Sequence, residues 1–160
     1  MEIIEFKGEK YPAFQASGFA AEHAFSYAKK VCMGNGLDVG CGKLEWALPD
    51  ARPIDATFVD GYHALNLPEG EFDFVFSSHM LEHITDYVEV LDYWSTKIKS
   101  GGTLFLYLPH RSQRYWLPHN NRKHIHSLST ELIKSYLEDR GCWTNIFTSK
   151  RDLNNSFMVM

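Results

Sequence analysis

The sequence predicts an α/β fold with a mostly parallel sheet. Three observations carry this. Strand-like and helix-like segments alternate along the chain, which is the order of a parallel sheet with crossover helices. The right-handed crossover rule then places those helices on both faces, as a three-layer sandwich. One strand-like run ends in two glycines separated by one residue, LDVGCG at residues 37–42.

The elements come in this order. Residues 20–31 have helix-forming composition after Gly18, and the glycines of MGNG at 33–36 stop that helix. Residues 36–40 read as a buried strand. FDFVFS at 72–77 is a second, with Phe72, Phe74 and Phe76 in alternation. Residues 84–98 read as a helix capped by Asp86, with Val90, Leu91 and Trp94 at helical spacing. Ser100, Gly101 and Gly102 end it, and TLFLYL at 103–108 is a third strand, stopped by Pro109. Ser129 or Thr130 opens a helix over 131–140, which Gly141 closes. Residues 143–148 and 157–160 are candidate closing strands.

Length and composition bound the function. The 160 residues fit one domain with one core, and 44% of them are apolar. A net charge of −4 argues against nucleic acid as partner. Cys32, Cys41 and Cys142 have neither metal-ligand nor redox spacing, which reads as reduced thiols in the cytoplasm. The N-terminus MEIIEFKGEKYP lacks the apolar core of a signal peptide, and no run reaches transmembrane length.

A strand ending in Gly-x-Gly lets the backbone turn tightly and lets a ligand approach it, beyond the carboxyl ends of the strands. The dinucleotide pattern GxGxxG is not met, because Glu45 stands at the third glycine's place. LDVGCG, then PID ending at Asp55, then ALNLP, then FDFVFSSHMLEHI, then SGGTLFLYLP instead resembles the motif order of class I S-adenosylmethionine-dependent methyltransferases. The resemblance runs from Gly36 to Pro109 and continues loosely through the helix before Gly141. It implies a Rossmann-like fold, a single S-adenosylmethionine-binding domain over residues 1–160, and S-adenosylmethionine as cofactor.

The resemblance also assigns residues. Gly40, Cys41 and Gly42 would lie against the methionine part of the cofactor, with Asp38 near its amino group. Asp55 matches the acid that accepts from the ribose hydroxyls, and Asp60 is its rival because residues 56–59 are also strand-like. His63 and Ala64 fall beside the adenine, where many members have Asp-Ala, so His63 departs from the pattern. Ser77 closes the motif under the cofactor. Tyr11, Phe14 and Gln15 would form an N-terminal flap.

Only about 30 residues separate Gly42 from Phe72, whereas a full βαβαβ passage needs roughly twice that. KLEWALP at 43–49 supplies two turns of helix at most, and Pro49 and Pro53 interrupt the segment beyond it. The first crossover helix should therefore be stunted, the second missing, and the third strand reduced to an extended segment. Such trimming opens one flank, which a homodimer would cover.

Two stretches add chemistry. HMLEH at 79–83 matches HxxEH, a zinc-peptidase pattern, with Glu131 or Glu138 as candidate third ligand. That motif belongs inside a long helix, and here it directly follows a strand, so no residue is assigned to a metal. HRSQRYWLPHNNRKHIH at 110–126 carries Arg111, Arg114, Arg122 and Lys123, no acid, and Tyr115 and Trp116. Over the carboxyl edge of the sheet this suits an anionic, ring-bearing acceptor. His124 and His126, separated by one residue, can be read as a metal pair or as alternation along a loop or strand edge, and the second reading is favoured.

Methyl transfer from a sulfonium is an in-line displacement that depends on positioning, and needs a base only when the acceptor is protonated. For a hydroxyl acceptor the candidates are His79 first and His110 second. The expected function is methyl transfer to a small molecule or glycan at oxygen. A cofactor-binding or cofactor-degrading protein without transfer, and an HxxEH zinc hydrolase, are the alternatives.

Overall fold

The computed structural model describes residues 2–13 and 17–160. Its centre is a five-stranded sheet in the order β4-β3-β5-β6-β7. The strands are β3 (Gly36–Val39), β4 (Arg52–Ile54), β5 (Phe72–Ser78), β6 (Ile98–Pro109) and β7 (Ser156–Val159). All neighbours run parallel except β6 and β7, which are antiparallel. Helices cover both faces, so the three-layer expectation is met.

Alternation along the strands makes two cores. Leu37, Val39, Val75, Leu104, Leu106 and Leu108 face one side, under α2 (Tyr87–Ser95) and α3 (Thr130–Arg140). Phe74, Phe76, Phe105 and Tyr107 face the other, under the 3-10 turn Ala20–His23 and α1 (Phe25–Val31). Ala20, Ala24 and Ala28 recur every four residues, and their small side chains let α1 lie close on those rings. Phe72 does not continue the alternation. A register shift between Phe72 and Phe74 turns it to the opposite core.

Caps decide the helix ends. Asp86 accepts from the Glu89 N–H (3.2 Å) and Ser129 from the Leu132 N–H (3.2 Å). α3 ends at Gly141, whose φ of +67° closes it. The predicted helix over 84–98 is shorter, because Thr96 caps it and Ile98 already pairs with Phe72. The predicted helix over 20–31 is broken at Ala24. Of the closing strands, 157–160 lies mostly within β7, whereas 143–148 forms no full strand and pairs with β7 only at its end, where Phe147 and Ser149 bond Met160 and Met158 around a bridge from Thr148 to Val159.

The early crossovers are reduced. The first is the single 3-10 turn Leu44–Trp46, and among the described residues no helix or strand stands between β4 and β5. Trp46 stacks on Phe19 (5.4 Å), putting one aromatic pair where a helix would pack. β4 is left as the sheet edge, with Leu44 and Val59 exposed.

The N-terminus forms a hairpin that the sequence reading missed. β1 (Ile3–Phe6) and β2 (Glu9–Pro12) turn through Lys7 and Gly8, both at positive φ (49° and 82°). Tyr11 is fully buried there rather than on a flap; its hydroxyl bonds Glu9 and accepts from the Tyr115 N–H. Phe14 and Gln15 lie outside the described residues.

Candidate active site

The glycine turn is held from below. The Gly40 N–H donates to the Ile54 carbonyl (2.8 Å), and the Gly42 N–H to Asp55 Oδ2 (2.9 Å). Asp55 Oδ1 accepts from the Thr57 N–H (3.0 Å) and hydroxyl (2.7 Å). Gly40 needs to be glycine twice over. Its φ is +85°, and a Cβ would stand 2.3 Å from Met80 Cγ. Below the turn Asp38 is buried, and its Oδ2 accepts from the Leu48 N–H (2.7 Å). Burial, with Asp55 nearby, pushes its carboxyl up to about 7. Burial likewise pushes the Cys41 thiol up to about 12, so it is no nucleophile at neutral pH.

A cavity of about 230 Å³ opens at the carboxyl ends of β3 and β4, walled by Val39, Gly40, Asp55, His63, Ala64 and Met80. Of the sequence-assigned cofactor residues, Gly40, Asp55, His63 and Ala64 therefore meet in one place. Asp60 is exposed outside it and caps its own turn at Tyr62. Asp38, Cys41, Gly42 and Ser77 do not reach the wall. Ser77 is buried and donates to the Val39 carbonyl (2.8 Å), tying β5 to β3. His63 Nδ1 accepts from the Leu65 N–H (3.3 Å), and the Ala64 carbonyl accepts from Trp94 Nε1 (2.9 Å), which anchors this wall to α2.

A larger cavity, about 420 Å³, lies across the same segment. His79, His83, Tyr115, Trp116, Arg122, Lys123 and His124 line it, together with Gly18 and Ala20. His79 and His83 face this cavity, whereas Met80 and Ile84 face the smaller one. HMLEH is not a helix. His79 has φ +50°, and residues Leu81–His83 make one 3-10 turn. Glu131 and Glu138 lie exposed on α3, and Glu138 pairs with Lys134. The helical HxxEH geometry is therefore corrected.

The histidines have defined partners. His79 Nε2 lies 2.9 Å from Ser156 Oγ, and its Nδ1 faces Glu82 at 3.8 Å. Burial, then the neighbouring imidazoles, hold His79 well below the ordinary histidine range, so it is neutral at pH 7. His110 lies in neither cavity wall, and its Nδ1 is 2.8 Å from Ser112 Oγ. His124 turns inward under the Trp116 ring (4.9 Å, near-parallel), while His126 Nε2 turns out to the Ile84 carbonyl (2.9 Å). The Glu82 carbonyl accepts from the Ile125 and His126 N–H groups, which fixes this loop on the 3-10 turn. Met80 and His124 are wall residues that the sequence placed only as members of their stretches, 79–83 along the pocket and 110–126 over it, without singling them out. His124 stands far from the motif it joins, and only the loop's return brings it there.

Comparisons with known proteins agree with this architecture. Residues 14–144 match the family described as a methyltransferase domain. No curated protein matches the chain. Among solved structures, an S-adenosylmethionine-dependent methyltransferase of Thermotoga maritima, described as a possible histamine N-methyltransferase, superposes with a TM-score of 0.66 at 17% identity, covering 91% of this chain and 90% of that one. An S-adenosylmethionine-dependent methyltransferase of Archaeoglobus fulgidus gives 0.63 at 17% identity (88% and 77%). The N-methyltransferase NodS of Bradyrhizobium japonicum, in complex with S-adenosyl-L-homocysteine, gives 0.58 at 13% identity (93% and 86%). With the glycine turn, the parallel sheet and a family match over most of its length, this chain belongs to the methyltransferase domain family, and it has the fold of the S-adenosylmethionine-dependent methyltransferases it superposes on, with the early crossovers trimmed.

Proposed function

We propose that residues 1–160 act as one unit that methylates an anionic small molecule or glycan at oxygen, with the two cavities dividing the work. The observation that carries this is the alternation along residues 79–84, which opens one cavity on each side of a single segment. The cofactor supplies a methyl group on a sulfonium sulfur. The smaller cavity fits its nucleoside. Gly40, at positive φ, turns the backbone into the cavity wall against Met80, Asp55 presents a carboxylate for the ribose hydroxyls, and His63 and Ala64 stand where the base would lie. Asp38, Cys41, Gly42 and Ser77 then act from beneath, by holding the turn.

The larger cavity fits the acceptor. Arg122 and Lys123 stand on its rim, Tyr115 and Trp116 offer ring faces, and no acidic side chain lines it among the described residues. This favours an anionic, ring-bearing molecule. Oxygen is the accepting atom in this reading. Tyr115, Asn121 and Lys123 on the cavity wall can orient and polarise a hydroxyl acceptor. Neither His79 nor His110 offers the cavity a free nitrogen, so the histidine first named as base becomes a positioning residue. Most of the rate then comes from alignment.

The test is turnover with methyl-labelled cofactor against a panel of acidic hydroxylated compounds and glycans. A methyl ether product supports the reading. In that assay Arg122→Ala with Lys123→Ala should raise KM for an anionic acceptor about tenfold or more, with kcat little changed. Cofactor breakdown without any methylated acceptor would move the protein to the cofactor-degrading alternative.

A further inference from the structure

Glu82 is a buried carboxylate with no hydrogen-bond partner in another described residue. Its side chain is 0% exposed, and neither oxygen shares a hydrogen bond with another described residue. Three imidazole nitrogens nevertheless surround Oε1: His79 Nδ1 at 3.8 Å, His83 Nε2 at 3.8 Å and His124 Nε2 at 3.9 Å. These separations exceed hydrogen-bond reach, so a proton placed between them satisfies none of the groups. A chain that gathers four such groups together and joins none of them lacks something at their centre.

The rings are already oriented for that something. His83 Nδ1 lies 2.7 Å from the Lys123 carbonyl, so Nδ1 carries the proton and Nε2 presents its lone pair towards Glu82. His79 is held through Nε2 by Ser156, which leaves Nδ1 towards Glu82. The His124 imidazole bonds the Trp116 backbone and is clamped under the Trp116 ring. Imidazoles pinned through one nitrogen while the other converges on a carboxylate are how metal ligands are prepared. The donor atoms of Glu82, His83 and His124 all lie within 4.8 Å of one another. Donors around a tetrahedral zinc with bonds of about 2.0–2.1 Å stand roughly 3.3 Å apart, so a contraction of at most about 1.5 Å closes the set. His83 is part-exposed at the larger cavity, which gives an ion a way in.

We propose that Glu82, His83 and His124 form a site for one divalent transition-metal cation, zinc by its His-His-carboxylate ligand set, with His79 Nδ1 flanking Glu82 and a solvent position completing the tetrahedron. The site goes beyond the sequence expectation, which assigned no metal ligand, and it differs from the zinc-peptidase pattern in its third ligand and in its lack of a helix. It stands independently of which acceptor the enzyme uses. Its position in the wall of the larger cavity puts the ion beside the proposed acceptor rather than beside the glycine turn.

The test uses the full chain, stripped with chelator, dialysed and titrated with zinc chloride by calorimetry, with metal analysis of the product. One equivalent per chain at micromolar affinity or tighter is expected. Cobalt(II) bound instead should give the intense visible absorption of a four-coordinate ion. Glu82→Gln and His83→Ala should each weaken zinc at least tenfold while keeping the wild-type circular dichroism. His83 is part-exposed, so that variant folds even if the buried one does not. His119→Ala, an exposed histidine outside the cluster, should bind zinc as the wild type does. Absence of stoichiometric zinc and cobalt binding by the wild type, or full binding by His83→Ala, overturns the site.

Discussion

Asp38 and Glu82 are both buried acids beside the same sheet, and they differ in what meets them. Asp38 receives the Leu48 N–H and so completes the frame of the glycine turn. The Glu82 carboxylate receives no hydrogen bond from another described residue, although three imidazoles face it. Burial raises both carboxyls, to about 7 and about 8. The desolvation cost is thus similar, and only the compensation differs. One acid serves the fold; the other is a cost to the fold that is explained by a ligand.

Substitutions should separate the two. The largest expected effect is in Asp38→Leu, which leaves the buried Leu48 N–H unpaired and should lower stability by about 1–3 kcal/mol. Urea unfolding at pH 5, where this acid is neutral in the folded protein, measures it. Glu82→Leu should act in the opposite direction. In chelator-stripped protein it replaces an unpartnered buried acid by an apolar group, and should leave stability unchanged or raise it by about 1 kcal/mol. A loss as large as that of Asp38→Leu would show that the two acids are not different in kind.

The smallest effect is a slope. Because burial raises Asp38 from 3.8 to about 7, the folded protein binds this proton more tightly than the unfolded chain does. The stability so gained is fully present below the unfolded value and is lost as pH rises through the folded one. The melting temperature of the wild type, measured against Asp38→Asn, should therefore fall between about pH 4 and pH 7 and level off above it. A flat difference across that range would mean that the Asp38 environment is less dry than the structure places it.

The same contrast explains what could be read from the sequence. The glycine turn, Asp55, His63 and Ala64 lie on short local motifs, and the structure brings them to one cavity. The missing crossover was legible too, because Gly42 and Phe72 are too close in sequence for a helix pair. The larger cavity was only half legible. Its basic and aromatic character is a property of residues 110–126, but the seat of His124 on Glu82 depends on backbone bonds from Ile125 and His126 to Glu82, a long-range contact with no periodic signal. His79 and His110 were chosen as bases from their positions after strands. A position after a strand does not say which way an imidazole turns, and Ser156 and Ser112 decide that. The β1–β2 hairpin was missed because its signal, one Lys-Gly pair, is brief, yet it braces the loop over residues 110–126 through Glu9, which accepts from the Arg114 N–H (2.8 Å).

The central claim is that the cavity beside Gly40 and Asp55 holds S-adenosylmethionine. Calorimetric titration of the full chain with S-adenosylmethionine and with its demethylated product tests it most directly. The account predicts one site per chain at micromolar affinity or tighter for both, weakened at least tenfold in Gly40→Ala and in Asp55→Ala, with circular dichroism unchanged in Asp55→Ala. Absence of binding by the wild type, or equal binding by both variants, would contradict it.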